Sequence, residues 1–353
     1  MGRYSLRALR GQKSTKEYTE PSESPQKTVT TPIVDSHMEG VSEFFSTLSQ
    51  TEILEYCLGY DKHKAPGLAA DAVLIAVNCH SLEKKPHPLL EIGIHFISHK
   101  GAKKELANPG PHSLNLLRRI SYRHIIIEDN ACHANLLPNP QEAETNHFGA
   151  TRFVRMEDAK DVLEQIFRMP TMTSSCNVNA TRIPRLCPLV ILNYDLPQWP
   201  TLQQVFSFDP SIGQNMVATI STKHIAYESG DPWSSAVTTL SQLTEELKIE
   251  YPAKQSAADH AAYTLIDAVQ LAMRPKMPLA RESIRSVVNT TMLYSQSDIP
   301  LWGYEDLCTL CGEQGHRRLR CHLRRIGVEC WKCTSVGRQW KRDTHTSNMC
   351  PFF

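Results

Sequence analysis

Of the chain's 11 cysteines, six lie between Cys308 and Phe353, and their spacing is that of metal ligands. Cys308, Cys311, His316 and Cys321 read C-x2-C-x4-H-x4-C. Cys330, Cys333, His345 and Cys350 repeat the order with a longer middle gap, C-x2-C-x11-H-x4-C. A Cys-x2-Cys turn aims two thiolates at one ion, and a following His and Cys complete a tetrahedron. Four protein ligands leave no position for a reacting water, so the spacing predicts two structural zinc ions. The first motif has the spacing of a CCHC zinc knuckle, with Gly315 before His316. The competing reading is a disulfide framework in a secreted protein. Met1–Arg10 carries Arg3, Arg7 and Arg10, and no apolar run of signal-peptide length follows. The other cysteines, Cys57, Cys79, Cys132, Cys176 and Cys187, are scattered, mostly in apolar contexts, like buried free thiols. The expectation is an intracellular protein, nuclear or cytoplasmic, with zinc in its tail.

Around these ligands the charge is local. The chain carries a formal net charge of +1, yet Arg317, Arg318, Arg320, Arg324 and Arg325 crowd the first motif. A basic patch neutralises phosphates, and a merely solvated face is the equal alternative. Trp331 follows Cys330 directly, where a knuckle displays an aromatic for base stacking; Thr309 holds the matching place in the first motif. Zinc knuckles grip single-stranded loops by stacking and phosphate contacts. The expected partner is therefore single-stranded nucleic acid, RNA ahead of DNA. No phosphate-binding loop, dinucleotide fingerprint or nucleophile elbow occurs. Cys79 cannot pair with Asn78 or His80 as nucleophile and base, because neighbours on a strand point to opposite faces. No run of about 18 apolar residues exists, so no membrane span is expected.

The elements that must carry these groups read as follows. Residues 1–40 are polar and predict a disordered tail. Residues 41–70 form a lead-in, with Phe44, Leu48, Ile53, Leu54 and Cys57 at near-helical spacing over 41–57. Strands are expected at Ala72–Val77, Leu89–Ile97 and Tyr122–Glu128, joined as an antiparallel meander. Leu189–Leu192 and Val217–Ile220 are further strands. Helices are expected at Glu157–Met169, Ala236–Ile249 and Ser256–Met273. Glu157–Met169 has acids at its start and Arg168 near its end, which matches the helix dipole. A meander followed by strand–helix alternation makes residues 71–274 an α/β domain, a mixed sheet with flanking helices. Residues 275–300 read as a polar, proline-flanked linker, and 301–353 as the zinc tail.

Four stretches in this order resemble DEDDh-type 3′–5′ exonucleases of the RNase H fold: VLIAVNCHSLEKKPHPLLEIGIHFIS, LVILNYDLPQWPTL, MVATISTKHIA and QSAADHAAYTLIDAVQLAM. With the zinc tail they resemble, more narrowly, the fungal Gfd2-like exonuclease-like proteins. The resemblance covers about residues 70–275 and the tail, and implies an RNase H-like sheet. In active enzymes of this kind four carboxylates hold two divalent ions that activate a water, and a His serves as base. Here the first Asp-x-Glu aligns with Asn78 and His80, the second Asp with Trp199, the third with His260, and the base His with Gln255. Magnesium needs anionic oxygen ligands, so no magnesium is expected at these positions. His80 and His260 could take a softer ion.

The sequence thus predicts a degenerate, inactive exonuclease-like domain with two zinc knuckles that binds nucleic acid. One alternative is a scaffold that binds protein partners through the same domains. Another is an active exonuclease whose metal ligands have moved, with Glu83, Glu91, Asp195, Glu228 and Asp259 as the nearby acids.

Overall fold

The computed structural model describes residues 36–352 except 83–86, 137–145, 172–184, 196–198, 207–214 and 278–279. The sheet has six strands: β1 (Val73–Ser81), β2 (Leu89–Ser98), β3 (Ser121–Ile127), β4 (Thr151–Val154), β5 (Leu189–Asn193) and β6 (Met216–Ser221). Their order is β4-β3-β2-β1-β5-β6. β2 is antiparallel to β1 and β3, and every other pairing is parallel. Apart from the short edge strand β4, this is an RNase H-like mixed sheet. The expected meander β1–β2–β3 is present. β4 escaped the sequence because four residues, Thr-Arg-Phe-Val, give too short a pattern to read.

The helices follow in chain order. α1 (Ser36–Ser46) and α2 (Gln50–Cys57) precede the sheet. Short α3 (His99–Lys103) and α4 (Leu114–Leu117) lie between β2 and β3. Next come α5 (Met156–Phe167), α6 (Trp199–Phe206), α7 (Thr222–Glu228), α8 (Leu240–Glu246), α9 (Ala257–Met273) and α10 (Ile284–Ser295). The tail adds α11 (Leu323–Ile326) and α12 (Trp331–Ser335).

Two expectations are corrected here. The single helix over 41–57 is two, beginning at Ser36. Ser49 caps α2: its hydroxyl accepts from the Glu52 amide, and the Glu52 carboxylate accepts from the Ser49 amide. This reciprocal capping ends one helix and starts another. The segment 275–300 is not an open linker. It contains α10, whose Val287, Val288, Thr291 and Ser295 are buried. Thr and Ser occupy core-facing positions there, which hid the apolar stripe from a reading based on hydropathy.

β1 alternates cleanly. Leu74 and Ala76 pack in the core beneath α9, whereas Val73, Ile75 and Val77 pack in the core that holds α5 residues. Period-two alternation therefore sends Asn78 and His80 to the α9 face and Cys79 to the other; Cys79 packs against the second core. α9 is buried along nearly its whole length, Ala257 to Met273. It reaches β2 at Gly93, where a Cβ would stand 2.3 Å from the Ala258 Cα and 2.4 Å from the Ala257 carbonyl oxygen. Only glycine admits this approach.

One buried acid on α9 has no ionic partner among the described residues. Asp267 accepts the Thr244 hydroxyl at 2.6 Å on one oxygen, and its other oxygen lacks a hydrogen-bond partner. Burial raises its pKa well above the carboxylate range. The folded chain thus keeps a proton that the unfolded chain releases above about pH 4. Stability then falls as pH rises from that point until Asp267 itself ionises. Asp267→Asn should raise the melting temperature at about pH 7, change it little at about pH 3, and flatten the slope between them. Thermal denaturation across that range checks this.

Candidate nucleic-acid interface and zinc centres

The cleft lies where β1 ends beneath the first turn of α9. Glu91 on β2 organises it. One carboxylate oxygen accepts His80 Nδ1–H at 2.7 Å and the Ala257 amide at 2.9 Å. The other accepts His124 Nε2–H at 2.7 Å. Burial opposes ionisation of Glu91, but the hydrogen bonds from His124 and His80 outweigh it and hold the pKa at about 2. The Ala257 amide belongs to the amino-terminal turn of a 17-residue helix, where negative charge is favoured. Glu91 is therefore the cleft's central anchor.

The aligned positions sort themselves around this anchor. Asn78 is buried, and its side-chain oxygen accepts the amide of Cys79 at 2.7 Å. His80 is half-exposed. Desolvation and the neighbouring His80 push His260 down to about 4, so its imidazole is neutral near pH 7. Gln255 donates to the Pro252 carbonyl at 2.7 Å. Trp199 opens α6, with its side chain outside the described part of the structure. Asp259, next to His260, turns away: its carboxylate accepts from the Ser256 amide, the His147 amide and His147 Nδ1–H. It completes a capping box with Ser256. Burial would raise its pKa, and the bonds from His147 and Ser256 lower it on balance.

Sequence reasoning missed His124 and His147. His124 Nδ1 lies 2.9 Å from the Thr151 hydroxyl, so its ring is held between Thr151 and Glu91. Its place opposite Gly93 and one strand from Glu91 was readable only with the β2–β3 register in hand.

The tail ligands come together as their spacing implied. Among the described residues, two groups bring metal-ligating atoms within 4.8 Å of one another. They are Cys308, Cys311, His316, Cys321 and Cys330, Cys333, His345, Cys350. The described cysteines are all free thiols, so none of the tail's six is in a disulfide. Tetrahedral zinc with bonds of about 2.3 Å to sulfur and 2.0 Å to nitrogen sets S···S near 3.8 Å and S···N near 3.5 Å. Cys333 and Cys350 stand 3.8 Å apart, Cys333 lies 3.6 Å from His345 Nε2, and Cys311 lies 3.4 Å from His316 Nε2. These separations fit zinc. Burial, with Arg318 and Lys341 nearby, holds His345 down to about 4, which keeps it in the neutral form that ligates.

Local sequence explains both loops. Gly312 and Gly315 adopt φ of 82° and 85°, a left-handed conformation that curls the first motif around its ligands. In the second, Cys330 caps α12, so its pair sits on a helical turn. The long gap before His345 holds a further 3-10 turn, Gln339–Thr344. From this turn the Arg342 carbonyl accepts the Cys330 amide at 2.8 Å, and Lys341 reaches the Asn135 carbonyl at 2.9 Å.

Asn135, in the segment after β3, joins the tail to the sheet. Its amide donates to the Thr309 and Met349 carbonyls, one from each motif. Its side-chain oxygen accepts from Arg318 at 2.6 Å. Arg318 is only 8% exposed and also donates to the Thr344 carbonyl. Arg317 pairs with Asp306 and lies 4.7 Å over the Phe153 ring. The expectation that Arg317 and Arg318 face a nucleic acid is therefore corrected: both fasten the tail. Arg320, Arg324 and Arg325 are exposed, and Trp331 is 65% exposed.

The model of the DNA polymerase III subunit epsilon-like, C-terminal domain family, abbreviated DEDDh_C, matches residues 73–271. The chain belongs to this family. The match runs from the first residue of β1 almost to the end of α9, so this epsilon-like domain includes the whole cleft. It is exonuclease-like, which ties it to work on nucleic acids. No curated protein matches the chain. Among the described residues no helix of this epsilon-like chain is long and apolar enough to cross a membrane.

Cys311→Ser and Cys333→Ser should each lower the zinc content of the fully reduced protein from two ions per chain to one, and the double substitution to none. Metal analysis of the purified variants checks this; a wild-type protein with one ion or none rules out the paired centres.

Proposed function

We propose that the chain binds single-stranded nucleic acid, RNA more readily than DNA, through two zinc knuckles set on a catalytically inactive exonuclease-like domain. The observation that carries this reading is the tail. Its eight ligands form two zinc-sized groups, while Arg320, Arg324, Arg325 and Trp331 face solvent. Cations and an exposed aromatic on one small module suit phosphates and unstacked bases. The narrower kinship with the fungal Gfd2-like proteins belongs to the same reading.

The cleft supports inactivity. The positions aligned with the metal-binding acids hold Asn78, His80, Trp199 and His260, and Gln255 stands in the place of the base. A two-metal mechanism needs anionic oxygens on both ions. Glu91 is engaged by two imidazoles and an amide, and Asp259 by His147 and its own helix cap. Neither replaces the missing acids. A 3′-labelled single strand incubated with magnesium or manganese should stay intact. Shortening that disappears in Glu91→Gln or Asp259→Asn would restore the active-exonuclease reading.

A protein scaffold is the second reading, favoured by the exposed Leu319, Ile326 and Val336 of the tail. Titration of a short single-stranded RNA at several salt concentrations separates the two. Alanine at Arg320, Arg324 or Arg325 should each reduce the salt slope by about one unit. Trp331→Ala should weaken binding by about 1–3 kcal/mol per stacked base with the slope unchanged. No binding at high micromolar protein favours the scaffold.

A further inference from the structure

One rung of the sheet leads from the cleft to the tail. His80, Glu91, Ile126 and Phe153 are paired in register across β1, β2, β3 and β4, so their side chains leave the same face. Neighbouring strands lie about 4.8 Å apart, which puts Ile126 about 10 Å from His80. Leu307 and Met349 of the tail share a buried cluster with Ile126 and Phe153. Tyr304 adds a further backbone pairing at Phe153. Asn135 clamps both zinc motifs beside this cluster. The tail is thus fixed on the cleft's own face of the sheet, two strands away.

The cleft's charge has changed as well. Asn78, His80 and His260 bring no carboxylate, and the charge of Glu91 is met by His80, His124 and the Ala257 amide. Asp195, just beyond β5, is paired with Lys223 at 2.8 Å. Where acids line a cleft, a phosphate needs divalent ions to approach. Here that repulsion is reduced, and the neutral imidazole of His260 offers a hydrogen bond.

We propose that the zinc tail and the cleft form one continuous surface for a single nucleic-acid strand, which the cleft accepts without magnesium. The inference rests on the nucleic-acid reading above and adds the cleft to it. A short strand occupies the tail alone. A longer one engages both, and rigid linkage makes the second contact effectively intramolecular.

The test uses the full zinc-loaded chain in magnesium-free buffer, with single-stranded RNAs from about 4 to about 16 nucleotides. Fluorescence anisotropy should show the longest strand bound at least about tenfold tighter than the shortest. His260→Asp, which returns an acid to the cleft, and Asn135→Ala, which frees the tail, should abolish that gain and leave short-strand affinity in place. A gain with length that is the same in wild type and His260→Asp overturns the proposal. Zinc content is measured alongside; if Asn135→Ala loses zinc, amide exchange in the wild type decides. Protection of residues 78–80 and of the first turn of α9 by the long strand only is the expected result, and its absence is contrary. No binding at any length overturns the nucleic-acid reading itself, whereas tail binding without a length effect overturns only the joint surface.

Discussion

The approach of α9 to β2 at Gly93 is the constraint on which the cleft depends. A helix normally stands off a sheet by the thickness of two side-chain layers. Here the amino-terminal turn of α9 rests on bare backbone. That proximity lets the Ala257 amide reach Glu91 and the Ala258 carbonyl accept from His95 at 2.7 Å. His95 in turn accepts the Arg123 amide, and burial holds its pKa down to about 4, so a neutral imidazole bridges helix, β2 and β3. Any larger residue at Gly93 would lift the helix and break these bonds together.

The same contact explains what happens to charge in the cleft. An isolated carboxylate beneath a helix would be costly. Glu91 is instead surrounded by donors of known direction, which makes it a fixed element of the structure. The polar groups continue from His124 through Thr151 and Asn146 to Ser256. A buried network of this kind is sound only when nearly every member is paired.

Much of this was legible in the sequence, for identifiable reasons. The tail's ligands were readable because metal geometry ties residue type to spacing, and no tertiary contact is needed to see it. Strands β1, β2 and β3 were readable from unbroken or alternating apolar runs. The alternation on β1 also placed Asn78 and His80 together and separated Cys79 from them. What escaped depends on partners distant in the chain. Arg317 and Arg318 looked like free surface charges because Asp306, Phe153 and Asn135 are invisible to a local reading. Asn135 itself carries no sequence signal; it is a polar residue in the 3-10 segment Glu128–Leu136, and only its contacts give it meaning. α10 was missed because its buried face includes Thr291 and Ser295.

Asn135 has one more implication. Its amide touches Thr309 from one metal motif and Met349 from the other, and Arg318 of the first motif donates to Thr344 of the second. Ordering either motif therefore sets part of the junction that the other shares. Two ions entering such a tail are not independent ligands: the first to arrive bears the cost of arranging the shared junction, and the second binds to a site already shaped. By linkage the relation is reciprocal, so each ion tightens the hold on the other.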